Sequence, residues 1–201
     1  MTNTSELRAL PRLRILVGLC LSLMVAVAWA QPARADTRTV TGGETRLEVN
    51  VANFVKLLGD GIFATAIPPA QLVYGAQPAA IFPVRNVGLI DAANSIATVP
   101  HDGGLRMEKS SIGMTVDTTN ITLTCAPVAG CHLLATANGL LPNEVAEVRD
   151  YTMSDDGAGT VTVTGRAVVN AVTALALNTL FQTQIFFDGM ELGVVRAAIH
   201  Y

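Results

Sequence analysis

Ile96-Ala97-Thr98-Val99-Pro100-His101-Asp102-Gly103-Gly104-Leu105-Arg106-Met107, followed shortly by Ile112-Gly113-Met114-Thr115-Val116, is the stretch on which the fold turns. Apolar and polar residues alternate on both sides of a sharp polar bend, which is the period of half-buried strands and not of a helix. The expectation is one strand, a bend and two returning strands. The bend places His101 beside Asp102 and ahead of two glycines, which let backbone pass close to a ligand or take positive φ. His101 and Asp102 are therefore candidate ligand contacts, with an exposed, oriented ring. A locally bonded hairpin histidine is the alternative.

Beyond Val116 the strand pattern recurs at short intervals, over Ile121–Cys125, His132–Ala137, Val145–Met153 and Thr160–Val169. Thr160, Thr162 and Thr164 alternate with Val161 and Val163, as expected of a strand with one face buried. Ser154-Asp155-Asp156-Gly157-Ala158-Gly159 before it has hairpin-turn chemistry and lacks the acidic spacing of a calcium loop. Cys125 and Cys131 bracket a short Pro- and Gly-bearing turn, and a disulfide between them would pin the end of a hairpin. Asn170 is placed to cap a helix over Ala171–Phe181, and Leu192–Tyr201 closes the chain as a strand.

Upstream, residues 36–46 are polar and carry Thr and Gly, so they read as a loosely held lead-in to a domain spanning 47–201. Leu47-Glu48-Val49 begins a strand, and Asn50 caps a short helix carrying Val51, Phe54, Val55 and Leu58 on one face. Ile62–Ile67 is a strand stopped by Pro68-Pro69. Residues 70–80 are irregular and read as a surface excursion, which makes Tyr74 a candidate ligand contact because loops carry function. Pro83 marks Ile81–Val84 as an edge strand. The strand, Asn-capped helix and strand order of 47–67 returns near the C-terminus as a weak structural echo. The fold expected is α+β: a mostly antiparallel, β-sandwich-like body with two short helices.

The first 35 residues stand apart. Arg8, Arg12 and Arg14 precede an apolar run, Ile15–Trp29, that ends in small residues, the pattern of a signal peptide cleaved after Ala30 or Ala35. The run is shorter than the ~20 residues a membrane-spanning helix needs, so no stable span is expected. Leu19 ahead of Cys20 argues against a lipid anchor. The protein is expected to be secreted or held in the cell envelope, where cysteines meet an oxidising environment. From Asp36 onward nine basic residues stand against 15 acidic ones, a formal charge of −6. That balance gains nothing from a phosphate backbone, which argues against nucleic acid.

No serine lies in a nucleophile elbow, and Glu144, Glu147 and Asp150 read as a solvated face. His101, His132 and His200 show no repeated ligand spacing, so no metal site is expected. Tyr151 and Tyr201 read as core or interface aromatics, and Asn120 heads an Asn-Ile-Thr sequon. The residues thus point to a non-catalytic binding or interaction protein, with a small-molecule or protein partner outside the cytoplasm and no cofactor.

Val99-Pro100-His101-Asp102-Gly103-Gly104-Leu105 resembles the Gly-His-x-Gly-x-Leu hairpin of Htaa domains, envelope modules of bacterial haem uptake. The closing run Ala174-Leu175-Ala176-Leu177-Asn178-Thr179-Leu180-Phe181-Gln182-Thr183, with Gly189 and Leu192-Gly193, is similar to the end of small secreted relatives of that class. The resemblance implies a β-rich export module and, as an alternative function, haem binding through a tyrosine backed by a histidine. His101 matches the histidine position. Where the family carries its early tyrosine this chain has Phe54, leaving Tyr74 or another tyrosine for that role.

Overall fold

The structure is a computed structural model that describes residues 36–139 and 143–201, and the leader with both cleavage points lies outside the described residues. Residues 36–201 form one compact unit. The opening stretch folds as its alternation dictates. β7 (Ile96–Pro100) buries Ala97 and Val99 and turns Ile96 and Thr98 outward, and β8 (Gly104–Lys109) and β9 (Met114–Ala126) return after the bend. β9 is long enough to serve two partners along one edge, β8 against Met114–Thr119 and β7 against Thr122–Cys125. Asn120 sits between them at φ 51°, breaking the regular register.

The chain then runs as an antiparallel meander through β10 (Gly130–Ala137), β11 (Asn143–Asp155), β12 (Thr160–Val168) and β13 (Glu191–His200). β13 pairs with β2 (Gly42–Val49), β2 with β5 (Ala79–Pro83), and β5 with the short edge strand β4 (Gln71–Val73). Beyond β7 the other edge is built from β6 (Leu89–Asp91) and β1 (Arg38–Thr39), while β3 (Ile62–Ile67) pairs with β8. A bridge between Val84 and His101 draws the end of β5 onto the segment after β7. One sheet therefore curls round its own interior, and its two halves supply the facing layers that the alternation calls for.

The expected lead-in is corrected by the structure. Residues 36–46 include β1 and the first half of β2, and Val40 is fully buried. Thr and Gly read as loop in isolation, but strand β2 is paired with β13 over its whole length and with β5 over Glu44–Glu48, and tertiary pairing overrides local preference. The excursion at 70–80 likewise contains β4 and the start of β5. The expected edge position of Ile81–Val84 is corrected, since β5 lies between β2 and β4; Pro83 itself lies past the reach of β4, where its carbonyl accepts from Asp102 N at 2.9 Å and no N–H is called for.

Two Asn-capped helices flank the sheet. In α1 (Val51–Gly59) the Asn50 side chain accepts from Asn53 N at 3.1 Å, and in α2 (Ala171–Phe181) Asn170 accepts from Thr173 N at 2.8 Å. α2 buries Ala174 and Phe181 in a small core with Ile62, Phe186 and Met190, whereas α1 buries none of its residues fully. The larger core fills the curl with Val99, Leu123, Ala135, Val148, Val163 and Ala197. Each valine or leucine among these withdrawn from water contributes roughly 1.5–3 kcal/mol, and each alanine methyl about 0.8 kcal/mol. Among the described residues no helix is long and apolar enough to cross a membrane.

Candidate functional site

Inside the curl the packing stops short of filling the space. A cavity of about 130 Å³ lies among Phe82, Ile121, Leu133 and Val195, and a second hollow of about 110 Å³ lies beneath α1 against Phe54, Leu57 and Tyr74. Leu47, Leu105, Met107 and Leu192 line both and so form the partition between them. Strand alternation explains the wall: Leu47 on β2 and Leu105 and Met107 on β8 point inward, with exposed Arg106 between the last two.

Thr45, His101 and Thr118 stand in the wall of the inner cavity, which presents almost only apolar atoms to the space inside. His101 sits on the closing bridge of the sheet and is 1% exposed, so the exposed ring expected from the bend is corrected. Its backbone N–H donates to the Ile121 carbonyl at 2.8 Å, and the ring Nδ1 donates to the same oxygen at 3.1 Å. A carbonyl can only accept, which puts the ring proton on Nδ1 and leaves Nε2 as an acceptor. Thr45 Oγ1–H fills that position at 2.6 Å. Burial pushes the His101 pKa down to about 4, and the nearby Arg85 cation adds to the effect against the opposing Ile121 bond and Asp102 charge.

Asp102 faces away. Its carboxylate is half exposed and accepts from Arg85 Nε at 2.6 Å, an ion pair on the outside of the seam. The two glycines of the bend are steric requirements. Gly103 has φ +79°, and a Cβ there would lie 2.5 Å from both Ala70 N and Ile67 O, while a Cβ at Gly104 would run into the Thr118 carbonyl. The bend is thus pressed against neighbouring backbone, which presents His101 inward and Asp102 outward.

Tyr74 is 71% exposed at the edge of the outer hollow, and it does not line the cavity that holds His101. Tyr151 packs against the larger core, and Tyr201 donates to Asp155 Oδ1 at 2.8 Å beneath the Arg38 guanidinium. The tyrosines are therefore dispersed. Sequence reasoning passed over Thr45, because it stood in the supposed lead-in. Leu105 and Met107 on the alternating strand were the available sign of an interior wall.

Cys125 and Cys131 face each other across the β9–β10 hairpin and are joined by a disulfide, with their Cα atoms 4.0 Å apart. Asp155 and Asp156 at the 154–159 turn accept from the backbone N–H groups of Gly157, Ala158 and Thr160, the bonding of a closed turn. No group of three metal-ligating side chains occurs among the described residues.

No family model and no characterised protein sequence matches this chain. Solved structures do. The C-terminal domain of HtaA from Corynebacterium glutamicum superposes with a TM-score of 0.58 at 14% identity, covering 81% of this chain and 98% of that one. The heme-binding protein HtaB from the same organism gives 0.52 at 15% identity, covering 82% and 95%. At such identity the likeness is one of fold, and the chain has the fold of these Hta proteins.

Proposed function

We propose that this chain is an exported, non-catalytic binding protein that takes an apolar small molecule into the interior of its curled sheet. The observation that supports this most is the cavity itself: an apolar enclosure whose polar side chains are confined to Thr45, His101 and Thr118. Cavities of that character stay dry and accept apolar guests. The leader and the hairpin disulfide support export to the cell envelope or beyond it. Against catalysis stands the chemistry of the hydroxyl and histidine pair at the cavity. A histidine with a pKa near 4 is a poor base at neutral pH, and Thr45 is almost wholly buried. Titration with the uncharged dye N-phenyl-1-naphthylamine should give blue-shifted, saturable fluorescence that falls when Leu133→Trp fills the cavity. No binding to the folded protein would end this reading.

A second reading, haem capture, is favoured by the shared fold with heme-binding HtaB. The residues of this chain do not match the tyrosine backed by histidine that the resemblance implies. Both ring nitrogens of His101 are engaged, the hydroxyl facing Nε2 belongs to Thr45, and Phe54 stands at the early tyrosine position. Adding haemin and recording the Soret region tests it. A sharp shifted band that fades in Tyr74→Ala would favour haem, and a featureless spectrum would leave the apolar-guest reading.

A further inference from the structure

We infer that this chain forms a twofold dimer through the apolar face made by its two helices and Phe187, with Lys56 of each copy set against Asp188 of the partner subunit. The inference is independent of what the cavities hold. A helix on the surface of a lone domain ordinarily turns charged and polar side chains to water. α2 does not. Ala171–Phe181 contains no charged residue, and while Ala174 and Phe181 enter the small core, Val172 and Leu175 are 78% and 69% exposed. α1 behaves alike, since Val51, Val55 and Leu58 are exposed and none of its residues is fully buried.

The two faces belong to one surface. Leu57 of α1 packs on the same small core as Ala174 and Phe181 of α2, so the helices cover it together and turn their outer faces away from it. The exposed Phe187 joins them. Its ring centroid is 5.9 Å from Lys56 Nζ of α1, and the preceding residue, Phe186, is bonded through both its N–H and its carbonyl to the Asn178 side chain of α2. At roughly 150–200 Å² for a fully exposed residue of this size, Val51, Val55, Leu58, Val172, Leu175 and Phe187 present on the order of 600 Å². That is the upper end of what a lone monomer leaves uncovered, and it approaches the ~800 Å² per partner of a standard interface.

The charges beside this face select the occupant. Of the nine basic residues from Asp36 onward, eight are ion-paired with a carboxylate, and Lys56 is the exception among the described residues. Its Nζ donates to Asn53 Oδ1 at 3.1 Å. Asp188, next to Phe187, is exposed and has no hydrogen-bond or ion-pair partner among the described residues. Across a twofold axis residue i meets j while j meets i, so one unpaired cation beside one unpaired anion becomes two ion pairs. A lipid surface is served less well. Helices that lie in a membrane interface rely on several Lys and Arg to hold anionic headgroups, and this face offers one unpaired cation on an acidic chain. A second copy would also give α1 the burial that it lacks in one copy.

Sedimentation equilibrium of the mature protein tests this between about 1 and 200 µM, a range suited to a contact at the small end of specific interfaces. The mass should rise from monomer to dimer across it. Val172→Glu combined with Leu175→Glu charges the exposed face without touching the core and should keep the chain monomeric throughout. Lys56→Glu and Asp188→Lys, each alone, set like charges together twice and should raise the dimer Kd at least about tenfold. Combined, they should return it to within about threefold of the unaltered protein, as coupled partners do. If the α2 variant does not fold, the charge exchange, confined to exposed residues, still decides. A protein that stays monomeric at the highest concentration overturns the inference, and if that monomer pellets with vesicles of phosphatidylethanolamine and phosphatidylglycerol, the face is a lipid-binding one. A dimer indifferent to both the α2 variant and the charge exchange is built on another surface and overturns it equally.

Discussion

The seam that carries His101 and the rim that carries Tyr74 look alike as sequence, since each is a polar-aromatic feature beside a glycine between strands. They are opposite as structure. At the seam the backbone N–H groups of His101 and Asp102 and both ring nitrogens of His101 are bonded, the bend is wedged against two other strands, and His101 is removed from water. At the rim Tyr74 stands mostly in solvent, and its neighbour Gly75 would meet nothing if given a Cβ. The difference lies in closure. The Val84 and His101 bridge shuts the curl, whereas residues 74–78 merely link the edge strand β4 to its neighbour β5. Substitutions should therefore be costly on one side and cheap on the other.

The largest effect is expected at Gly103. An alanine there must adopt φ +79° and place its Cβ against Ala70 N and Ile67 O, costing about 3 kcal/mol when strain and overpacking are combined. Urea unfolding should show the midpoint displaced accordingly. Gly75→Ala serves as the rim control and should leave it in place. A seam tolerant of Gly103→Ala would mean that the bend moves freely, and the contrast would collapse.

Next comes acid. His101 in the unfolded chain takes a proton near pH 6.5, while in the folded protein burial holds its pKa at about 4. Below pH 6.5 the unfolded state therefore binds the extra proton, and stability falls as pH drops toward 4, beyond which no more is lost from this group. At pH 4.5 the loss relative to neutral pH is about 2.5 kcal/mol. The ring carbon shifts of His101 should stay neutral down to that range. His132 should behave differently: despite partial burial, its bond to the Ala129 carbonyl and the Glu144 carboxylate 3.2 Å away raise its pKa. A His101 signal that titrates near 6.5 would show a hydrated seam and remove the dry cavity with it.

Reducing the disulfide probes the same wall from its outer end, because Cys125 lies opposite Ala97 of β7 as well as Cys131. The closed loop is short, so the expected loss is about 2 kcal/mol. Cys125→Ala paired with Cys131→Ala should reproduce it by thermal unfolding.

How far the sequence announced all this depends on which interaction decides each element. Alternation in Val99, Leu105, Met107 and the Thr160–Thr164 run is local, and so the strands, the hairpin disulfide and both Asn-capped helices were legible. Closure is not local. Nothing near Thr45 says that a strand of Gly and Thr will be clamped between β13 and β5, or that its hydroxyl will meet a ring 56 residues away. His101 was visible as a residue of interest, but its inward direction depends on Gly103 and Gly104 abutting 67–70 and Thr118. Asp102 was placed with it because neighbours in sequence look like neighbours in space, although successive side chains here leave on opposite faces.

The smallest effect is expected at the rim, and it separates stability from binding. Tyr74 is 71% exposed and lines the outer hollow. Tyr74→Ala should shift unfolding by no more than about 0.5 kcal/mol. If an apolar guest enters that hollow, the same variant should weaken binding of N-phenyl-1-naphthylamine, whereas a guest confined to the inner cavity should be spared. A loss of stability comparable to that of Gly103→Ala would make Tyr74 part of the scaffold.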